Sequence, residues 1–193
     1  MGVVSPADMK LAALGGSRYA RVERERRYLL SGLPPGLKLS DPHTQITDNY
    51  VTGTRLRLRK VRDPRTNEWT LKLTQKHCPS PPDFSRTLIT NVYLSPYEYE
   101  VLSVFEGTEL RKNRYPYEHE GRLYSVDVFL GSLHGLVLAE TDFETDAELD
   151  AFPAPPFALL DVSREELFTG ARLVELDAEE LRRELQKRAT SDE

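Results

Sequence analysis

From Thr54 to Arg59 the chain alternates arginine with leucine, in the order Thr54-Arg55-Leu56-Arg57-Leu58-Arg59. Side chains at successive positions of a β-strand point to opposite faces, so a strand here puts Leu56 and Leu58 on one face and the guanidinium groups of Arg55, Arg57 and Arg59 on the other. Cations spaced about 7 Å apart on that face repel by roughly 2 kcal/mol per adjacent pair at an effective dielectric near 20. A solvent-facing strand escapes this cost by mixing signs. A polyanion lying along the ladder removes it, since guanidinium groups fork onto phosphate oxygens. The segment therefore calls for a sheet with one apolar side and one basic side turned toward an anionic guest.

Other stretches share the period of two and are separated by turn chemistry at short intervals. Strands are expected near 19–30, 44–51, 53–61, 67–76, 84–93, 108–118, 121–129 and 135–143. Asp63-Pro64 with Asn67 marks one turn and Gly121 another. Helices are fewer. Ser95-Pro96 supplies an N-cap and a first-turn proline for a helix over 97–105, Thr145 caps a short acidic turn through Leu149, and Asp177 with Glu180 forms a capping box for a helix over 178–187. Leu181 and Leu185 give that last helix an apolar side, with which it closes a barrel mouth or pads the outside. The expected fold class is mainly β: an eight-stranded antiparallel closed barrel with peripheral helices, about the strand number that closes a small barrel.

The length of 193 residues suits one domain. Residues 1–17 read as a flexible leader, too short and interrupted for a signal peptide or a membrane span, and 18–193 as the barrel with its C-terminal helix. The single cysteine, Cys78, has no internal partner, which agrees with a cytoplasmic location. With 26 basic against 31 acidic residues the net charge is −5, so the chain carries no general footprint for DNA or RNA, and any anion must be held by a local cluster.

Such clusters recur at strand parity. In the first strand Glu23, Glu25 and Arg27 share one face and Arg24, Arg26 and Tyr28 the other. Thr70, Lys72, Thr74 and Lys76 lie opposite Leu71 and Leu73, Lys112 pairs in parity with Arg114, and Arg86 opens its own strand. Several strands with basic faces suggest a lined cavity. Acids return at Ser125-x-Asp127 and at Glu140-x-Asp142, the latter repeating the two-apart spacing of Glu23 and Glu25. Carboxylates so spaced suit Mg²⁺ or Mn²⁺, which favour oxygen ligands; salt bridges to the neighbouring arginines are the structural alternative. His43, His77, His119 and His134 show no metal-like spacing and are expected to be structural or solvent-facing.

Taken in order, Glu23 to Arg27, Arg55 to Arg59, Leu73 to Lys76, Lys112 to Arg114, Val126-Asp127 and Gly135-Leu136 with Ala139 to Asp142 resemble the CYTH superfamily, the triphosphate tunnel metalloenzymes. The likeness spans roughly residues 19–170. It implies a closed barrel whose tunnel holds a linear triphosphate. Arg27, Arg55, Arg57, Arg59, Lys76, Lys112 and Arg114 match phosphate-binding positions, with Lys72 and Arg86 as additions. Glu23, Glu25, Glu140 and Asp142 match metal positions, with Asp127 beside them, and Glu23, Glu25 and Arg27 form the catalytic group. Three features depart from the family pattern: Arg27 stands where lysine is usual, Asp142 where glutamate is commoner, and Leu88 and Thr90 where an inward carboxylate often occurs.

The implied activity is Mg²⁺- or Mn²⁺-dependent hydrolysis of tripolyphosphate, ATP or thiamine triphosphate by a monomer or homodimer without membrane or DNA partners. An adenylate cyclase making cyclic AMP, and a non-catalytic triphosphate, polyphosphate or nucleotide binder, are the alternatives.

Overall fold

The computed structural model describes residues 20–189, so the expected leader lies outside the described residues. Eight strands form the body: β1 (Arg21–Leu29), β2 (Thr44–Val51), β3 (Leu56–Arg62), β4 (Trp69–His77), β5 (Arg86–Tyr93), β6 (Gly107–His119), β7 (Arg122–Phe129) and β8 (Val137–Asp142). A two-residue strand, β9 (Leu160–Asp161), adds to one edge. The helices are α1 (Pro96–Leu102), α2 (Asp146–Ala151), α3 (Gly170–Leu173) and α4 (Ala178–Ala189). No described helix is long and apolar enough to cross a membrane.

The strands run in the order β5-β4-β3-β2-β6-β7-β8-β1, and pairing of β1 with β5 closes the barrel. β1 makes this closure by dividing its partners. Arg21 to Arg24 pair antiparallel with β5, whereas Glu25 to Leu29 pair with β8. Its last two residues also take β9 on the side that β5 has vacated. Such stagger is what closing a sheet into a barrel requires.

The local reasons for the elements are those in the sequence. His119 pairs with Arg122 across a two-residue loop, and Glu120 and Gly121 both have positive φ, the requirement of a type I′ hairpin turn. Ser95 and Glu98 form a full capping box at α1, and Thr145 and Glu148 another at α2.

Apolar residues fill two regions. Leu29, Leu110, Phe129 and Leu138 point inward at one end of the barrel, where they pack with Leu133, Leu136, Val162, Phe168, Leu173 and Leu181. The segment carrying Phe168, α3 and α4 thereby plugs that end, and α4 takes the closing role rather than the padding one. The fit is close: a Cβ on Gly170 would collide with the Tyr50 hydroxyl oxygen. On the outside, Tyr28, Tyr115, Tyr124, Val126 and Ala139 are covered by Leu37, Phe152 and Phe157. β9 and α3 went unforeseen because two and four residues are too few to show a period.

Phe168 is essentially inaccessible at the centre of the plug. Phe168→Ala is expected to destabilise the protein by about 3–5 kcal/mol through lost burial and the cavity left behind, measured as a shift in the denaturant midpoint.

Candidate functional site

The inner face of the barrel encloses a cavity of about 440 Å³. Ten basic and six acidic side chains line it, so the lumen is net positive in a chain whose net charge is −5. Register explains how they meet. Asp48 of β2 stands opposite Arg59 of β3, Arg59 opposite Lys72 of β4, and Lys76 opposite Ile89 of β5. On the other side Arg114 of β6 faces Asp127 of β7, and Glu25 of β1 faces Asp142 of β8.

Two buried aspartates brace the cations from behind. Asp48 accepts from Arg59 Nε at 2.5 Å and Nη2 at 2.7 Å, and Arg57 Nε lies 3.6 Å away. Burial alone would raise the Asp48 carboxyl, but Arg57 and Arg59 overcome it and hold the group down at about 2. Asp127, wholly buried, takes two hydrogen bonds from Arg114, at 2.7 and 2.6 Å, and one from Lys112. Burial is the largest influence on Lys112 and leaves its ammonium below the ordinary lysine value despite Asp127.

The remaining acids form a chain along the wall. Arg27 donates to Glu25 and, at 3.0 Å, to Glu140, which also accepts from Arg114 at 2.5 Å. Lys76 pairs with Glu23. Burial and the neighbouring Glu140 push the Glu25 carboxyl up to about 7, and burial with Glu23 and Glu140 raises Asp142. Glu140 and Glu23 are also buried, yet Lys112, Arg114 and Arg27 hold Glu140 well below the usual carboxylate range and Lys76 lowers Glu23.

Three features are left unmatched. Lys72 is lowered by burial and by Arg59, Arg57, Arg21 and Arg114, and it touches the ring of Tyr93 rather than a carboxylate. Among the described residues, Arg27 Nη1 and Arg57 Nε are buried without a hydrogen-bond partner. Each is a donor with capacity for an anion.

Of the expected cations, Arg27, Arg55, Arg57, Arg59, Lys72, Lys76, Lys112 and Arg114 all line the cavity. Arg86 does not. It points outward beside Arg24, its register partner, and bonds Asp83, Asp146 and Asp150. The acidic face of α2, packed against β1, draws both arginines to the outside. The inward residues of β5 are consequently Thr87, Ile89 and Asn91, not Leu88 and Thr90, and none is acidic. His77 also lines the cavity, with Nδ1 3.1 Å from Arg55 Nη1. Arg21, Asp48, Asn91 and Arg172 join the site unannounced. Asp48 carried a signal: it is an acid on the inward parity of β2 between Ile46 and Tyr50.

Glu23, Glu25, Glu140 and Asp142 lie together in the cavity wall, whereas Asp127 sits behind it, consumed by Lys112 and Arg114. Among the described residues no three of His, Cys, Asp and Glu converge as a metal site. The chemistry of the four wall carboxylates nevertheless fits a hard divalent cation, since they are oxygen donors, and burial together with their mutual repulsion raises Glu25 and Asp142.

No protein-family model matches the sequence, and no curated protein does. Among solved structures, the inorganic triphosphatase NE1496 superposes with a TM-score of 0.53 at 24% identity, over 79% of this chain and 93% of that one. A second structure, of the hypothetical protein NE1496, gives 0.54 at 23% over 80% and 99%. The PH1819 protein of Pyrococcus horikoshii OT3 aligns with a TM-score of 0.48 at 19% identity, over 66% of this chain and 82% of that one. The chain shares the closed-barrel fold of these two NE1496 structures.

The Asp48 carboxyl stabilises the fold fully above its unfolded-state value near 4, and that contribution, about 2 kcal/mol, is lost as pH falls through about 2. Thermal unfolding from pH 6 to pH 2 should show this loss in the wild type between pH 4 and 2 and not in Asp48→Asn. Asp127→Leu leaves Lys112 and Arg114 facing each other in a buried site and is expected to cost about 3–5 kcal/mol in chemical denaturation.

Proposed function

We propose that the protein binds a linear triphosphate in the tunnel and hydrolyses its terminal anhydride. The observation that carries this reading is the net positive, water-accessible lumen in which Lys72 stands among four arginines with no carboxylate partner among the described residues. A guest bearing several phosphate oxygens supplies the missing counter-charge. Support for the reaction class comes from the fold shared with a protein described as an inorganic triphosphatase.

In the strand order β3 lies across the barrel from β8, so the Arg57–Arg59 ladder faces the Glu140–Asp142 wall. Arg57, Arg59, Lys72 and Arg114 would bind the non-reacting oxygens and fix the phosphates in line. Glu23, Glu25, Glu140 and Asp142 would hold Mg²⁺ or Mn²⁺. That ion, when bound, neutralises charge on the phosphoryl oxygens and lets the guest approach the acidic wall. Arg27, bonded to both Glu25 and Glu140, keeps those carboxylates oriented. Water adds to the terminal phosphorus as the bridging P–O bond breaks, and its proton passes to a wall carboxylate, Glu23 or Glu25. Orthophosphate and pyrophosphate leave when tripolyphosphate is the substrate.

Ion chromatography after incubation with tripolyphosphate, ATP or thiamine triphosphate, each with Mg²⁺ or Mn²⁺, tests the proposal. Release of orthophosphate should require the divalent ion and fall at least roughly 100-fold in Glu23→Gln/Glu25→Gln, on the scale of losing acid–base and electrostatic assistance. Lys72→Met, which breaks no ion pair among the described residues, should raise KM about 10–100-fold, the worth of a hydrogen bond to a charged group. Cyclic AMP from ATP would replace hydrolysis by cyclisation. Binding by calorimetry without turnover of any of the three would reduce the tunnel to a receptor.

A further inference from the structure

β8 ends at Asp142, and its two neighbours treat that end differently. β1 pairs with it to the last residue, Glu25 opposite Asp142, and Phe143 N donates to Arg24 O at 2.9 Å just beyond. Register with β7 stops earlier, at Ser125 opposite Glu140. The backbone groups of a strand alternate between its two neighbours. Since Phe143 turns to β1, the carbonyl of Asp142 turns to the β7 side, where the ladder has ended.

Side chains take over from there. Thr141 Oγ1 donates to Leu123 O at 3.0 Å, Arg122 Nε donates to Thr141 Oγ1 at 3.0 Å, and Arg122 Nη2 donates to the Asp142 carbonyl. Arg122 opens β7 directly after the Glu120–Gly121 turn, on the outward parity shared by Tyr124 and Val126. Its guanidinium lies 4.0 Å from the ring centroid of Phe143 and 4.8 Å from that of Phe152, and the two rings meet at 5.1 Å. The hairpin turn and the two rings thus fix the cation outside the barrel.

The residue so held is the least constrained member of the acidic wall. Glu23 is bound by Lys76, Glu25 by Arg27, and Glu140 by Arg27 and Arg114. The Asp142 carboxylate has no ion pair among the described residues, and the residue is exposed where β8 ends. Aspartate is one methylene shorter than glutamate, so the reach of its carboxylate follows the backbone closely. A second cavity, of about 540 Å³, lies against Asp142, Arg122, Glu144 and Glu148, so this end of β8 borders open space rather than a packed core.

We propose that Arg122 is a positioning residue for the acidic wall: by holding the Asp142 carbonyl from outside the barrel, it sets where the Asp142 carboxylate stands inside and so tunes the affinity of the lumen for a divalent cation. This role rests on the reading of Glu23, Glu25, Glu140 and Asp142 as metal ligands. Arg122 does not itself line the lumen. Groups that orient ligating carboxylates from behind typically govern metal affinity by about 10–100-fold.

Mn²⁺ alone, titrated into the full chain and followed by the electron paramagnetic resonance of the free ion, tests this through a double-mutant cycle of Arg122→Met and Asp142→Asn. Methionine leaves an unbranched side chain beside the two phenylalanines while removing both hydrogen bonds. Arg122→Met should weaken Mn²⁺ binding roughly 10-fold or more on its own. In the Asp142→Asn background it should change binding by less than about 2-fold, because the carboxylate through which it acts is gone. Arg122→Lys keeps one donor for the Asp142 carbonyl and should bind between the wild type and Arg122→Met. It carries the cycle if circular dichroism shows the methionine variant unfolded. Equal losses in the two backgrounds would overturn the positioning role, since a general weakening of the barrel acts whether or not Asp142 is present. Unchanged binding in Arg122→Met would overturn it too. A wild type that binds no Mn²⁺ would overturn the four-carboxylate site as well as this role.

Discussion

Like charges gathered in one cavity repel, and the architecture depends on how that repulsion is absorbed. Asp48 and Asp127 do most of it from behind the cations, one on β2 and the other on β7. Each is buried and reached by more than one base, so each carboxylate offsets its own desolvation with several charge-assisted hydrogen bonds. Bidentate pairing also fixes the guanidinium planes of Arg59 and Arg114. The side chains are therefore held in place before any guest arrives, and little ordering entropy remains to oppose binding.

This arrangement explains why the barrel keeps an open lumen at one end and a packed one at the other. Where inward residues are Leu29, Leu110, Phe129 and Leu138, the segment from β9 through α4 supplies Phe168, Leu173 and Leu181, and the space fills as a core does. Where the inward residues are charged, close packing would strand ions in an apolar medium, at a cost of several kcal/mol for each. The boundary falls near Gly170, which lets α3 approach the Tyr50 hydroxyl at the edge of the charged region.

The strands were legible in the sequence because each carries a period of two and most are bounded by turn residues. All eight barrel strands appear within three residues of the expected ends. The cations of β3, β4 and β6 were legible for the same reason, since an unbroken basic face repels itself unless an anion lies against it. Arg86 was not. Only one position of its strand is charged, so the strand's own pattern gave no parity, and the deciding partners, Asp146 and Asp150, lie some sixty residues on in α2. Asp127 shows a different limit: parity placed it inward correctly, but whether an inward acid faces a guest or braces a neighbour depends on the depth of the base beside it. Asp48 was passed over because it stands singly between Ile46 and Tyr50, and its role exists only through the register that sets it opposite Arg59.

Acids and bases do not alternate around the lumen. β5 contributes Thr87, Ile89 and Asn91, so the wall carboxylates are concentrated on the adjacent strands β1 and β8, while Arg57, Arg59 and Lys72 occupy β3 and β4. The cavity is thus polarised across its width. A polyanion drawn to the basic wall meets, on its other side, a group of carboxylates that already repel one another. At about 4 Å and an effective dielectric near 20, each such phosphate–carboxylate contact opposes binding by roughly 4 kcal/mol. Protonation of Glu25 alone would leave Glu23 and Glu140, both held ionised by their basic partners. Glu23, Glu25, Glu140 and Asp142 would hold a divalent ion, and its charge would offset this repulsion, which is the physical ground for including Mg²⁺ or Mn²⁺ in the proposed reaction.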